Sequence, residues 1–188
     1  AAMGLHKGDR IALVIPEPHE LVLSLLGAVF AGVVPVPIYP RASFKGLDGY
    51  VDVIAHIVER AGARVVLTME RMREVVGHVQ ARDVGVEKVA LCEEAFEGET
   101  PLLELPEVEP RDLCFLQFTS GSTSRPKGVM VTHANLIANS RAFLGPHGLD
   151  RNDDDVGVSW LPLYHDMGLI GFVLGTLICD IPVVLLPT

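Results

Sequence analysis

Cysteine and positive charge are both scarce in this sequence. Its 188 residues include three cysteines, and no two of them stand at the short spacing of a zinc or redox motif. Lysine and arginine total 15 against 24 aspartates and glutamates, which gives a formal net charge of −9 at pH 7. A nucleic-acid-binding surface needs a basic face, so this balance argues against one. Unpaired cysteines are typical of the cytoplasm, and that is the compartment we expect.

Segments directed to a membrane are also lacking. The first ten residues have no apolar core behind a basic end, so no signal peptide is expected. Residues 21–40 carry no charge over a length that could cross a bilayer, but glycines and three prolines interrupt them. We therefore expect a buried helix, a stop at Gly32 and a short strand there, and no membrane span.

Apolar runs alternate with amphipathic segments along the chain. Strands are predicted over 10–15, 33–38, 63–68, 88–91, 113–118, 129–131, 156–161 and 182–186. Helices are predicted over 19–31, 47–61, 70–79, 133–143 and 167–178, with Thr132 as the N-cap of the fourth. This alternation predicts an α/β fold, with a largely parallel sheet and helices on both faces. Residues 92–112, rich in glutamate and proline, are interpreted as a solvated connector and not as a metal site.

The most informative stretch runs from Thr119 to Gly128 and reads Thr-Ser-Gly-Ser-Thr-Ser-Arg-Pro-Lys-Gly. Five of its first six residues carry a hydroxyl, and it lies between two predicted strands. Hydroxyl and backbone N–H groups can donate to phosphate oxygens, glycine lets the backbone approach a ligand, and Lys127 adds a positive charge. A solvated turn is the alternative, because such compositions are common between strands. The stretch is not a Walker A loop, since Pro126 precedes the lysine and no helix follows directly.

A second segment adds to the first. Residues 160–171 read Trp-Leu-Pro-Leu-Tyr-His-Asp-Met-Gly-Leu-Ile-Gly. The first stretch resembles the phosphate loop of the adenylate-forming superfamily, which includes acyl-CoA synthetases, adenylation domains of nonribosomal peptide synthetases and luciferases. The second resembles the form found in fatty acyl-AMP ligases. Ser124 is a departure, because many members of the superfamily have glycine there, and it weakens the superfamily match slightly.

The resemblance implies ATP-dependent activation of a fatty acid to acyl-AMP with release of pyrophosphate. It further implies transfer of the acyl group to a carrier-protein thiol, on an acyl carrier protein or a polyketide synthase, in lipid or polyketide biosynthesis. ATP and Mg²⁺ are the implied cofactors. An acyl-CoA synthetase and a non-catalytic acyl-binding module are the alternatives.

The resemblance also bears on how much of the enzyme is present. Residues 1–188 are expected to be part of the large N-terminal AMP-binding domain of a longer enzyme. The residues that bind adenine, ribose and metal in this family would then lie in the longer enzyme, beyond residue 188. We expect no metal ligand here and no activity from these residues alone.

The implied site residues fall into two groups. The residues expected to hold the nucleotide phosphates are Thr119, Ser120, Gly121, Ser122, Thr123, Lys127 and Gly128. The residues expected to line the substrate pocket are Tyr164, His165, Asp166 and Gly168. Lys127 and His165 are the expected catalytic residues, and His165 would position the carboxylate, which is already ionised at pH 7. Without the resemblance, His165 would be taken as a partly buried, hydrogen-bonded imidazole. Asp166 is expected to cap the following helix in preference to orienting His165.

Overall fold

The fold consists of two compact units. The computed structural model describes residues 3–39, 47–95, 104–119, 125–152 and 154–186. The first unit comprises residues 1–108 and 113–130, and the second comprises 109–112 and 131–188. The central part of the predicted phosphate loop, 120–124, and part of the predicted connector, 96–103, lie outside the described residues.

A four-stranded parallel sheet forms the centre of the first unit. Its strands are β1 (Arg10–Val14), β2 (Val34–Pro37), β3 (Ala63–Thr68) and β4 (Lys88–Leu91), in the order β2-β1-β3-β4. The edge position of β2 explains its two prolines. Val34 N donates to Asp9 O, directly before β1, and Ile38 N donates to Leu13 O in β1, whereas the intervening prolines fall at positions that need no N–H.

Helices pack against this sheet. They are α1 (Pro18–Phe30), α2 (Leu47–Ala61), α3 (Arg73–Gln80), which follows a 3₁₀ turn over Glu70–Met72, and the short α4 (Cys92–Ala95). The apolar stripe of α2 places Val51, Ile54 and Val58 in the core, each at most 2% exposed. A buried side chain of this size contributes roughly 1.5–3 kcal/mol, so the stripe holds α2 firmly on the sheet.

Strands β5 (Leu113–Thr119) and β6 (Lys127–Thr132) form a separate two-stranded sheet. Phe115 is fully buried and Leu116 belongs to the same core cluster as α2, so β5 is anchored in the first unit. The first four residues of β6 belong to this unit as well. The two strands therefore bring both ends of the predicted loop to the surface of a packed core.

The second unit contains α5 (His133–Leu144), β7 (Gly157–Ser159), β8 (Val183–Leu185) and a helix between the two strands. Strands β7 and β8 pair in parallel. Thr132 caps α5 as predicted, because its Oγ1 accepts from Asn135 N at 3.1 Å. The Asn135 side chain accepts from Thr132 N at 3.2 Å, which completes a capping box.

The helix between β7 and β8 differs from its prediction. Residues Met167–Leu174 form a π-helix, in which Gly175 N donates to Ile170 O, and only Gly175–Ile178 (α6) is α-helical. The helix over 167–178 was predicted correctly, whereas its division into a π-helix and a short α-helix was not predicted. The segment is apolar on nearly every side, so its sequence has no hydrophobic period that could distinguish a π-helix from an α-helix.

The predicted α/β class, with a largely parallel sheet flanked by helices, is confirmed. Across the described residues, no helix combines the length and the apolar character that crossing a bilayer would require. Cys92, the first residue of the predicted connector, is buried and begins α4.

Candidate active site

The exit of the predicted phosphate loop is the part of that loop that the structure describes. Thr119 ends β5, and Lys127 and Gly128 begin β6. All three residues are exposed. Ser120, Gly121, Ser122 and Thr123, the other predicted phosphate-binding residues, lie outside the described residues. Lys127 thus presents a positive charge at the surface, directly after the hydroxyl-rich stretch.

Gly128 lies close to an aromatic side chain. A Cβ at this position would lie 2.9 Å from Cζ of Phe118, on the paired strand β5. Phe118 in turn packs against the core cluster of the first unit. The aromatic ring therefore lies against the backbone next to Lys127, and a side chain at Gly128 would displace it.

The other side of Lys127 is held by a residue far away in the sequence. His56, on α2, places Nε2 3.1 Å from the carbonyl oxygen of Pro126. A carbonyl oxygen only accepts hydrogen bonds, so Nε2 carries the proton in this contact. The sequence pattern does not single out His56 as a site residue. No sequence signal links α2 to a turn 70 residues away.

The second segment lies in the second unit. It leaves β7 and makes a tight turn in which His165 N donates to Pro162 O at 3.1 Å. Gly168 is buried against this turn, and a Cβ there would lie 2.3 Å from Pro162 O. The close approach of two backbones explains why glycine is needed at this position. Tyr164, two residues after Pro162, is half-buried.

His165 and Asp166 form an exposed pair at the start of the π-helix. His165 Nδ1 lies 2.6 Å from Asp166 Oδ1, and their side chains are 66% and 62% exposed. A carboxylate oxygen accepts, so Nδ1 carries the proton in this contact, and Nε2 of the neutral imidazole is then an acceptor. Met167 N also lies 3.4 Å from Nδ1, and it can donate to that nitrogen only in the other tautomer. The same Oδ1 also accepts from Met167 N at 2.7 Å. Asp166 therefore contacts both the imidazole and the first turn of the helix, the two roles that the sequence left as alternatives.

Two cysteines are excluded as nucleophiles. Burial raises the pKa of Cys92 and of Cys114 to about 11. Both thiols are therefore protonated at neutral pH, whereas a thiolate is the reactive form. Within the described ranges, no three histidine, cysteine, aspartate or glutamate side chains are grouped so that they could hold a metal ion.

A protein-family sequence model described as "AMP-binding enzyme" matches residues 1–188. The chain belongs to the AMP-binding enzyme family, and the predicted membership of the adenylate-forming superfamily is confirmed.

Two curated relatives are similar over most of the chain. A putative acyl-CoA synthetase of Caulobacter vibrioides is 36% identical over 187 residues, which is 100% of this chain and 32% of the relative. A long-chain-fatty-acid–AMP ligase of Mycobacterium marinum is 32% identical over 173 residues, 91% of this chain and 27% of the relative. The chain therefore spans about a third of the length of the curated relatives it matches.

Two solved structures show the same fold. One belongs to a study of fatty acyl-adenylate ligases from E. coli and L. pneumophila. It matches with a TM-score of 0.89 and 30% identity, over 100% of this chain and 33% of that one. The other is the fatty acyl-adenylate ligase of L. pneumophila in complex with acyl adenylate and pyrophosphate. It matches with a TM-score of 0.76 and 31% identity, over 99% of this chain and 31% of that one.

Proposed function

We propose that these residues are part of the N-terminal AMP-binding domain of a fatty acyl-AMP ligase. In the reaction, a fatty-acid carboxylate oxygen attacks the α-phosphorus of ATP. The bond from that phosphorus to the bridging oxygen breaks, and acyl-AMP and pyrophosphate are formed. The observation that carries the proposal is the placement of exposed Lys127 at the start of β6, directly after the hydroxyl-rich stretch and beside the core-anchored strand β5.

The phosphate-binding role is proposed for the loop. The ammonium of Lys127 would offset the charge that develops on the leaving pyrophosphate, since a preplaced cation stabilises that charge without reorganisation. The residues proposed to donate to the β- and γ-phosphates are Thr119, Ser120, Gly121, Ser122, Thr123 and Gly128. The chemistry of these donors fits a polyanion, because each carries a hydroxyl or a backbone N–H.

The substrate-positioning role is proposed for the second segment. Asp166 holds Nδ1 of His165, and Nε2 would donate to the substrate carboxylate when the imidazole carries a proton on both nitrogens. Orientation of the attacking oxygen is a large part of what this reaction requires. Tyr164 and Gly168 would shape the pocket beside it.

Mg²⁺ is proposed as a cofactor that arrives on the nucleotide. Protein sites commonly hold this ion through one or two carboxylates together with substrate phosphates. The described residues offer no group of three metal-binding side chains, so no step is assigned to the metal. The chain alone is proposed to be inactive, because it spans about a third of its relatives.

Two candidate functions differ in the molecule that accepts the acyl group. The first candidate is a fatty acyl-AMP ligase that passes the acyl group to a carrier-protein thiol, as the resemblance to that family implies. An acyl-CoA synthetase is the second candidate, and the 36% identity to a putative enzyme of that class favours it. Residues 1–188 contain no feature that we assign to either acceptor.

The test uses the full-length protein with ATP, Mg²⁺ and fatty acids of several lengths. Acyl-AMP and acyl-CoA are measured separately, with and without coenzyme A. Acyl-AMP that persists in the presence of coenzyme A supports the ligase, and rapid conversion to acyl-CoA supports the synthetase. If no adenylate forms at any chain length, the proposal is wrong and a non-catalytic acyl-binding module is the better account.

A lysine variant tests the residue assignment. Lys127→Ala should slow adenylate formation about 10- to 100-fold, as expected for the loss of a hydrogen bond to a charged group. Lys88→Ala removes an exposed lysine of β4 in the same unit and serves as the control. Equal rates for the two variants would contradict the role of Lys127.

A further inference from the structure

The contact between His56 and Pro126 restrains the peptide that precedes Lys127. The carbonyl that accepts from His56 Nε2, at 3.1 Å, belongs to the peptide bond whose nitrogen is that of Lys127. The proline ring already restricts φ of Pro126 to a narrow range. The orientation of its carbonyl then depends mainly on ψ, and one hydrogen bond to that oxygen restrains ψ.

The donor is held on a rigid support. His56 is half-buried on α2, and its neighbours Ala55 and Ile57 are buried. The helix is fixed by the fully buried Ile54 and Val58. Because α2 is fixed to the core, this hydrogen bond also fixes Pro126 relative to the core. A donor on a mobile surface side chain would not do so.

Lys127 is therefore restrained on both sides. His56 holds the carbonyl before it, and the ring of Phe118 lies against Gly128 after it. A fixed backbone at Lys127 lowers the entropy cost of ligand binding, because less conformational freedom remains to be lost when the ligand binds.

We infer that His56 is a positioning residue that sets the backbone of Lys127 for binding the nucleotide triphosphate. The inference rests on the proposed function of Lys127. His56 acts through the Pro126 carbonyl and does not itself touch the nucleotide.

The experiment compares His56→Ala and His56→Gln in the full-length protein. The dissociation constant for ATP is measured by calorimetry, and KM for the fatty acid by adenylate formation. His56→Ala should weaken ATP binding about three- to tenfold, the range for one neutral hydrogen bond, and leave KM for the fatty acid unchanged. The glutamine amide can donate to the same carbonyl and should recover most of the affinity. His78→Ala, at an exposed position of α3, is the control and should bind ATP as the wild type does.

The outcomes distinguish the inference from the proposed function. Unchanged ATP affinity in His56→Ala would overturn the inference, and so would an equal loss in His56→Ala and His56→Gln. ATP binding by the wild type without acyl-AMP formation would overturn the proposed function, while the comparison of the variants would still decide the role of His56. A wild type that does not bind ATP would overturn both.

Discussion

Gly168 provides a sharp test of how the second segment is packed. A Cβ at this position would lie 2.3 Å from Pro162 O, 3.0 Å from Pro162 C and 3.2 Å from Leu161 O. All three atoms are backbone, so no side-chain rotation relieves the overlap. Overpacking costs about 1–3 kcal/mol, and an overlap of 2.3 Å with backbone belongs to the upper half of that range, about 2–3 kcal/mol. The better helix propensity of alanine returns about 1 kcal/mol. We expect Gly168→Ala to lower the local stability by about 1–2 kcal/mol.

Gly171→Ala is the matched control. The nearest atom to a Cβ at Gly171 is Sδ of Met167, at 3.1 Å, which is the flexible end of a side chain. This variant should be neutral within about 0.5 kcal/mol or slightly stabilising.

Hydrogen exchange of peptides covering 157–186 in the full-length protein measures the local effect. Exchange should be about 5- to 30-fold faster in Gly168→Ala, the equivalent of 1–2 kcal/mol, and close to wild type in Gly171→Ala. Equal exchange in Gly168→Ala and the wild type would refute the close packing against Pro162.

Two further predictions concern a helix cap and an ion pair. Thr132→Ala should destabilise α5 by about 1 kcal/mol through loss of its cap, whereas Thr132→Ser should keep the cap. Hydrogen exchange of the α5 amides measures the stability of the helix in each variant, and equal exchange rates in the two variants would contradict the capping role. Arg64→Gln should lower the melting temperature at pH 7, because Arg64 holds Glu87 through two hydrogen bonds of 2.8 Å. The hydrogen bond from Arg64 lowers the pKa of Glu87, so this stabilisation is present above the unfolded glutamate pKa of about 4.3 and is lost as the pH falls through the lower folded value. Melting curves of wild type and variant should therefore converge in acid, and a gap that stays constant from pH 7 to pH 3 would contradict the reasoning.

Elements with a strong hydrophobic period could be predicted to the residue. Helix α2 (47–61) and strands β3 (63–68) and β4 (88–91) have the bounds that the sequence pattern indicated. The reason is local: their apolar spacing matches one secondary structure, and glycine or polar residues flank them. The cap at Thr132 was predictable for the same reason, since both partners of the capping box lie within one turn.

Features that depend on long-range packing could not be predicted. The hydrogen bond from His56 to Pro126 joins residues 70 positions apart, and it forms only because of the way in which α2 packs against the sheet. The π-helix at Met167–Leu174 has the composition of an ordinary buried helix. The placement of Gly128 under the ring of Phe118 depends on the pairing of β5 with β6. The sequence identified Lys127 and His165 as candidates, and their roles remain predictions.

Fatty-acid-dependent exchange of pyrophosphate into ATP tests the central claim most directly. The full-length protein is incubated with ATP, Mg²⁺ and labelled pyrophosphate, without coenzyme A or a carrier protein. Formation of acyl-AMP is reversible in this assay, so the proposed activity predicts label in ATP only when a fatty acid is present, and much less label with Lys127→Ala. Label that never appears in ATP at any fatty-acid length, from protein shown to be folded, would contradict the account.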